Sequence, residues 1–165
     1  MIRLLLPGLL LASGAATAQT RQDFQVSASV VAGCSVAVDA GGVWGRIDLG
    51  TVSGTDTGAV EAEMVAAGGA GLRLDCTPGV TASLTADGGE HAAGASRRLA
   101  HSSGATVPYE LFADGSALPW RDGAIPVSFA PGVQRRTLPI RARAMLPGAL
   151  PAGRYADTVR VTLTW

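Results

Sequence analysis

Short runs in which polar and apolar residues alternate constrain the fold of this chain more than any other feature. Alternation with a period of two suits a β-strand, and no long stretch carries the 3.6-residue period of an amphipathic helix. Such runs occupy residues 25–30, 72–76, 80–84, 109–112 and 138–143. Turn pairs such as Pro78-Gly79 and Pro131-Gly132 separate them, since glycine tolerates a positive φ and proline presets its own. The pattern predicts an all-β sandwich.

Two segments depart from this pattern. Residues 88–103 are rich in Gly, Ala and Ser and weakly patterned, so they are predicted to form a mobile loop. Pro139 lies inside the strand-like run 138–143 and has no N–H to donate to a neighbouring strand. An edge strand or a bulge is therefore predicted at Pro139.

The first residues have the composition of an export signal. Arg3 precedes a short apolar run at residues 4–12, and Ala16-Thr17-Ala18 matches a small-x-small cleavage site. The apolar run is shorter than the roughly 20 residues that span a bilayer. A signal peptide is predicted at residues 1–18, with no membrane span in the mature chain. The product is expected to pass through the periplasm and to end outside the cell or on its surface.

The cysteines are Cys34 and Cys76. An even pair in an exported chain predicts a disulfide, because the compartment is oxidising. The bridge would close the loop between residues 34 and 76, and the chain-entropy relation gives about 4 kcal/mol of stabilisation for closing it.

Both ends of the predicted mature chain alternate. One face of the N-terminal run carries Phe24, Val26, Ala28 and Val30. One face of the C-terminal run carries Val159, Val161, Leu163 and Trp165. The N-terminal run can pair within its own domain or with a neighbouring molecule, and periodicity does not separate the two.

The sequence offers little to support an enzyme. His91 and His101 lie in or near the Gly/Ala/Ser-rich segment, without partner residues at catalytic spacing. No catalytic residue, metal site or cofactor is predicted, and with 13 basic and 13 acidic residues no basic patch suggests nucleic acid. The alternative to a structural protein is a secreted binding module whose tryptophans stack on a carbohydrate; otherwise those residues belong to the core. The tryptophans are Trp44, Trp120 and Trp165.

Four stretches together resemble one known family. They read FQVSASVVAGCSV at residues 24–36, LRLDCTPG at 72–79, VPYELFAD at 107–114 and GRYADTVRVTLTW at 153–165. In this order, the chain resembles the spore coat protein U domain family, which includes subunits of the archaic, Csu-type chaperone–usher pili.

The resemblance implies an incomplete immunoglobulin-like β-sandwich at residues 34–165, preceded by a donor-strand segment at residues 19–33. Such a sandwich lacks its last strand, and a periplasmic chaperone and then the next subunit supply it. The strand at residues 159–165 would form one wall of the open groove. The implied partners are the chaperone, an outer-membrane usher and neighbouring subunits, in a fibre that supports adhesion or biofilm formation. A secreted coat component outside pili, or a carbohydrate-binding sandwich, is the alternative.

Overall fold

The computed structural model describes residues 19–165, so the predicted signal peptide lies outside the described residues. The described residues divide into two units, residues 19–30 and residues 31–165. Residues 19–30 contain no strand. Twelve strands lie in the second unit. Within residues 19–165, no helix is long and apolar enough to cross a membrane.

The strands are short, as expected from the frequent turn residues. In chain order they are β1 (Cys34–Val36), β2 (Gly45–Ile47), β3 (Thr57–Ala66), β4 (Gly69–Ala70), β5 (Leu72–Cys76), β6 (Thr81–Ala86), β7 (Arg97–Ala100), β8 (Thr106–Ala113), β9 (Ile125–Ser128), β10 (Arg135–Leu138), β11 (Ile140–Pro147) and β12 (Val161–Thr164).

These strands form three sheets. One has the order β1-β5-β10, another β12-β6-β9, and the largest β2-β3-β11-β8-β7 with β4 beside β3. Every strand pair is antiparallel. The prediction of an all-β fold is confirmed.

The core takes alternate residues from strands of all three sheets. In β5, Leu72 and Leu74 are fully buried, whereas Arg73 and Asp75 between them are not. In β6, Ala82 and Leu84 are buried in the same way. The period of two in the sequence therefore records which side chains face the core.

The run at residues 138–143 does not form one strand. Leu138 ends β10, which pairs with β5, and Ile140 begins β11, which pairs with β3 and β8. Pro139 lies where the chain passes from one sheet to another, and its carbonyl accepts the N–H of Asp114. The predicted edge or bulge at Pro139 is therefore wrong: the missing N–H falls in a gap between two strands, where no ladder needs it.

The predicted loop at residues 88–103 is also wrong in part, because it contains β7 and a bridge between Ala93 and Ser96. Arg97 in β7 is 5 % exposed, and its guanidinium donates to the carbonyls of Asp87, Trp120 and Arg121. Hydrogen bonds to residues distant in the sequence hold this segment in place. Its local composition therefore does not predict a strand.

Candidate functional site

The disulfide attaches the first strand to the middle of its sheet. Cys34 and Cys76 are bonded, as predicted, and stand directly opposite each other in the register of β1 and β5. The bridge fixes a strand of only three residues, which pairs with no described strand other than β5. The edge of β1 that faces away from β5 has no strand beside it in the part of the chain that the structure describes.

The backbone of β1 shows which residues form that open edge. Thr77 donates its N–H to the carbonyl of Gly33 over 2.9 Å, and Ala37 donates to Arg73 over 3.1 Å. Because bonding residues alternate in an antiparallel pair, the backbone groups of Cys34 and Val36 point away from β5. The side chains of these two residues pack against the core.

The last strand is open in the same way. β12 has β6 as its only strand neighbour among the described residues, with Val161 opposite Ala86 and Leu163 opposite Leu84. Just before β12, Asp87 donates its N–H to the carbonyl of Arg160 over 3.0 Å. By the same alternation, the backbone groups of Val161 and Leu163 point away from β6.

The inward face of the C-terminal run is only partly covered. Val159, Val161 and Leu163 pack against the core but are only partly buried, and Trp165 is 59 % exposed. Unpaired backbone groups therefore occur on the residues that carry incompletely buried apolar side chains. An alternating strand laid along this edge would satisfy both, because its N–H and C=O groups would pair while its apolar side chains covered the core.

The N-terminal segment has the complementary property. Phe24, Val26 and Val30 are 87 %, 82 % and 90 % exposed, and Ala28 is exposed as well. No residue between 19 and 33 is in a strand. A run with the pattern of a strand is thus present without the burial that normally accompanies the pattern.

The tryptophans differ from one another in exposure. Trp120 is 5 % exposed, and its indole N–H donates to the carbonyl of Gly123 over 2.8 Å. Trp44 packs against the core. Trp120 is therefore a core residue, Trp44 is partly buried beside the core, and Trp165 is the most exposed of the three, at 59 %.

The histidines have partners that the sequence did not reveal. His91 Nδ1 lies 2.9 Å from a carboxylate oxygen of Asp157, 66 positions away. His101 Nδ1 lies 2.8 Å from Ser103 Oγ, and its ring stacks on Tyr155 with 5.0 Å between centroids. Neither contact is predicted by a catalytic spacing in the sequence. Within residues 19–165, however, the described hydrogen bonds of His101 reach no carboxylate, so the His101–Ser103 pair is not a catalytic triad.

Comparison with solved structures identifies a fold known from pili. One chain of the CsuC–CsuE chaperone–tip adhesion subunit pre-assembly complex, from the archaic chaperone–usher Csu pili of Acinetobacter baumannii, aligns with a TM-score of 0.52 and 16 % identity. The alignment covers 82 % of this chain and 40 % of that one. The P pilus rod subunit PapA aligns with a TM-score of 0.49 and 15 % identity, over 79 % of this chain and 97 % of PapA.

Sequence comparison agrees on the family. None of the curated proteins matches the chain. The Spore Coat Protein U domain matches residues 20–162, which include the exposed N-terminal segment and the first half of β12. The chain belongs to the Spore Coat Protein U domain family.

Proposed function

We propose that this chain is a structural subunit of a secreted fibre, a chaperone–usher pilus in which neighbouring subunits are joined by donor-strand exchange. Residues 24–30 of one subunit insert along β12 of the next, with β1 on the other side. The fibre supports adhesion or biofilm formation at the cell surface.

The observation that carries the proposal is that one chain has both an open strand edge and an exposed segment with the alternating pattern of a strand. The open edge consists of alternate residues, Val161 and Leu163, with free backbone groups and partly covered apolar side chains. The N-terminal segment alternates with the same period and exposes its apolar residues. An unpaired strand edge and exposed apolar side chains are both unfavourable in water. Pairing the N-terminal segment with the open edge removes both.

The same physics accounts for the proposed partners. A subunit with an open edge in transit is prone to wrong pairing, so a periplasmic chaperone supplies a temporary strand. An outer-membrane usher then presents the subunit to its neighbour. The likeness to a chaperone–subunit complex from archaic pili supports this assignment through the fold.

A face-reversal experiment tests the proposal. Val26→Asp places a carboxylate on the apolar face of residues 24–30, and its transfer into an apolar groove costs several kcal/mol. Gln25→Asp introduces the same charge one position earlier, on the opposite face. We expect the Val26→Asp chain to remain monomeric by size-exclusion chromatography and electron microscopy, and the Gln25→Asp chain to assemble as the native chain does.

The two variants must be compared under identical conditions of expression and concentration. Equal loss of assembly in both would mean that the face assignment is wrong. Normal assembly of the Val26→Asp chain would show that the segment is not the donor.

A further inference from the structure

Asp157 has a buried carboxylate that forms no ion pair with an arginine among residues 19–165. Its side chain is 1 % exposed. One oxygen accepts the hydroxyl of Tyr109 over 2.7 Å, and the other accepts the backbone N–H of His91 over 3.0 Å and lies 2.9 Å from His91 Nδ1. Burial of a charge is tolerated only when hydrogen bonds satisfy it, so this arrangement is specific rather than incidental.

The turn at residues 87–91 leaves space for the carboxylate of Asp157 because it has a glycine at position 89. A Cβ on Gly89 would clash with a carboxylate oxygen of Asp157, and Gly89 has a φ of +84°. Only glycine meets both conditions, since it has no Cβ and adopts positive φ freely. The close approach lets one carboxylate join β8, the turn at residues 87–91 and the segment that leads into β12.

The same turn also binds the backbone on the C-terminal side of Asp157. Glu90 donates its N–H to the carbonyl of Thr158 over 3.0 Å, and Arg160 donates its N–H to the Asp87 carboxylate over 2.9 Å. Together with Asp157, these bonds hold the four residues that immediately precede β12.

Arg97 in β7 links this turn to the segment around Arg121. Its guanidinium donates to the carbonyl of Asp87 over 2.9 and 2.7 Å and to that of Arg121 over 2.7 Å. A polar cluster that we call the Asp157 cluster, consisting of Asp87, His91, Arg97, Tyr109 and Asp157, therefore anchors the start of the C-terminal strand.

β12 needs such an anchor because it is weak on its own. It has four residues, and within residues 19–165 β6 is the only strand that pairs with it, so few backbone hydrogen bonds hold it. We propose that Asp157 is a positioning residue for strand acceptance: by joining Tyr109 and the turn at residues 87–91, it keeps the open edge of β12 ordered and in register before a donor strand arrives. This inference rests on the proposed function.

The test uses the full exported chain, diluted to remain monomeric, and a synthetic peptide with the sequence of residues 19–33 as the probe. Two quantities are measured: peptide binding, by anisotropy of a labelled peptide, and amide hydrogen exchange at Thr162 and Thr164, compared with Leu72 and Leu74 in β5. The variants are Asp157→Ala and Tyr109→Phe. Asp122→Ala, which removes an exposed carboxylate elsewhere, is the control.

We expect Asp157→Ala to weaken peptide binding on the order of tenfold to a hundredfold, the range for losing a hydrogen-bonded charge. Exchange in β12 should accelerate more than exchange in β5. Tyr109→Phe removes a single hydrogen bond and should show the same local effect at smaller size. The Asp122→Ala chain should match the native chain.

The outcomes separate the two proposals. A native chain that does not bind the peptide would overturn the acceptor role and, with it, the positioning role. A native chain that binds, with an Asp157→Ala chain that binds equally well, would overturn the positioning role alone. If Asp157→Ala unfolds globally, Tyr109→Phe decides: faster exchange confined to β12 supports the inference, and equal acceleration in β5 and β12 contradicts it.

Discussion

The two ends of this chain alternate with the same period but meet different surroundings. The C-terminal strand has β6 on one side, the Asp157 cluster before it and the core beneath Val161 and Leu163. The N-terminal segment exposes Phe24, Val26 and Val30 and is in no strand. The difference teaches that alternation makes a segment competent to form a strand, whereas an available edge decides where the strand forms. Changes at the C-terminal end should alter stability, and changes at the N-terminal end should alter association.

Loss of the disulfide should lower the stability of the folded chain more than any other change. It should impair the chain as an acceptor of a donor strand and leave the donor segment unaffected. Cys34→Ser leaves β1 attached to β5 by backbone bonds alone, and removal of a native bridge from a small secreted domain costs about 2–5 kcal/mol. We expect a sharply lower folded yield and a lower urea midpoint. A peptide of residues 19–33, which contains no cysteine, should keep its ability to donate to a native acceptor. An unchanged urea midpoint would contradict this account of the bridge.

A charge on the inward face of β12 should cause the second-largest loss of stability. Leu163→Asp replaces a side chain packed against the core, and the lost burial and the buried charge should cost about 1–3 kcal/mol. Thr162→Asp places the same charge on the exposed face and should stay within about 0.5 kcal/mol of the native chain. Urea denaturation of both chains measures the difference. Equal destabilisation would refute the assignment of faces in β12.

High pH should weaken the anchor of β12. Burial, together with the hydrogen bond to Asp157, raises the pKa of Tyr109 well above its usual range. The folded chain then retains a proton that the unfolded chain loses, so stability is complete below the unfolded pKa of about 10 and falls as the pH rises above it. Denaturation curves between neutral and alkaline pH should show this fall, and Tyr109→Phe should reduce it. An equally steep fall in the Tyr109→Phe chain would assign the effect to another group.

Deletion of residues 19–31 should have the smallest effect on stability. These residues are exposed and in no strand, so their removal should change the free energy of unfolding by less than about 0.5 kcal/mol. The truncated chain should nevertheless fail to polymerise. A clear loss of stability would mean that the segment completes its own domain, as an ordinary first strand would.

Local pattern was sufficient to predict some elements. The run at residues 72–76 is β5, and the C-terminal run contains β12, although the strand begins at Val161 rather than Val159. Gly79 and Gly132 have the positive φ expected of their turns. In these places short-range sequence and burial agree, so alternation alone identifies the strand.

Other elements depend on contacts between distant residues and could not be predicted. The strand β7 forms around Arg97, whose acceptors lie in two other segments, and Asp157 meets Tyr109 across 48 positions. No short-range pattern records such contacts. The N-terminal segment is the opposite case, because its strand pattern is plain but no strand forms at residues 24–30.

Hydrogen exchange at single amides tests the central claim most directly. The truncated chain lacking residues 19–31 is measured by NMR with and without a peptide of residues 19–33, and with its Val26→Asp counterpart. The account predicts that the peptide slows exchange at Val161 and Leu163, whose N–H groups point to the open edge, while Thr162 and Thr164 change little because they already face β6. The Val26→Asp peptide should have no effect. Unchanged exchange at Val161 and Leu163 with a saturating native peptide would contradict the claim that β12 is the acceptor edge.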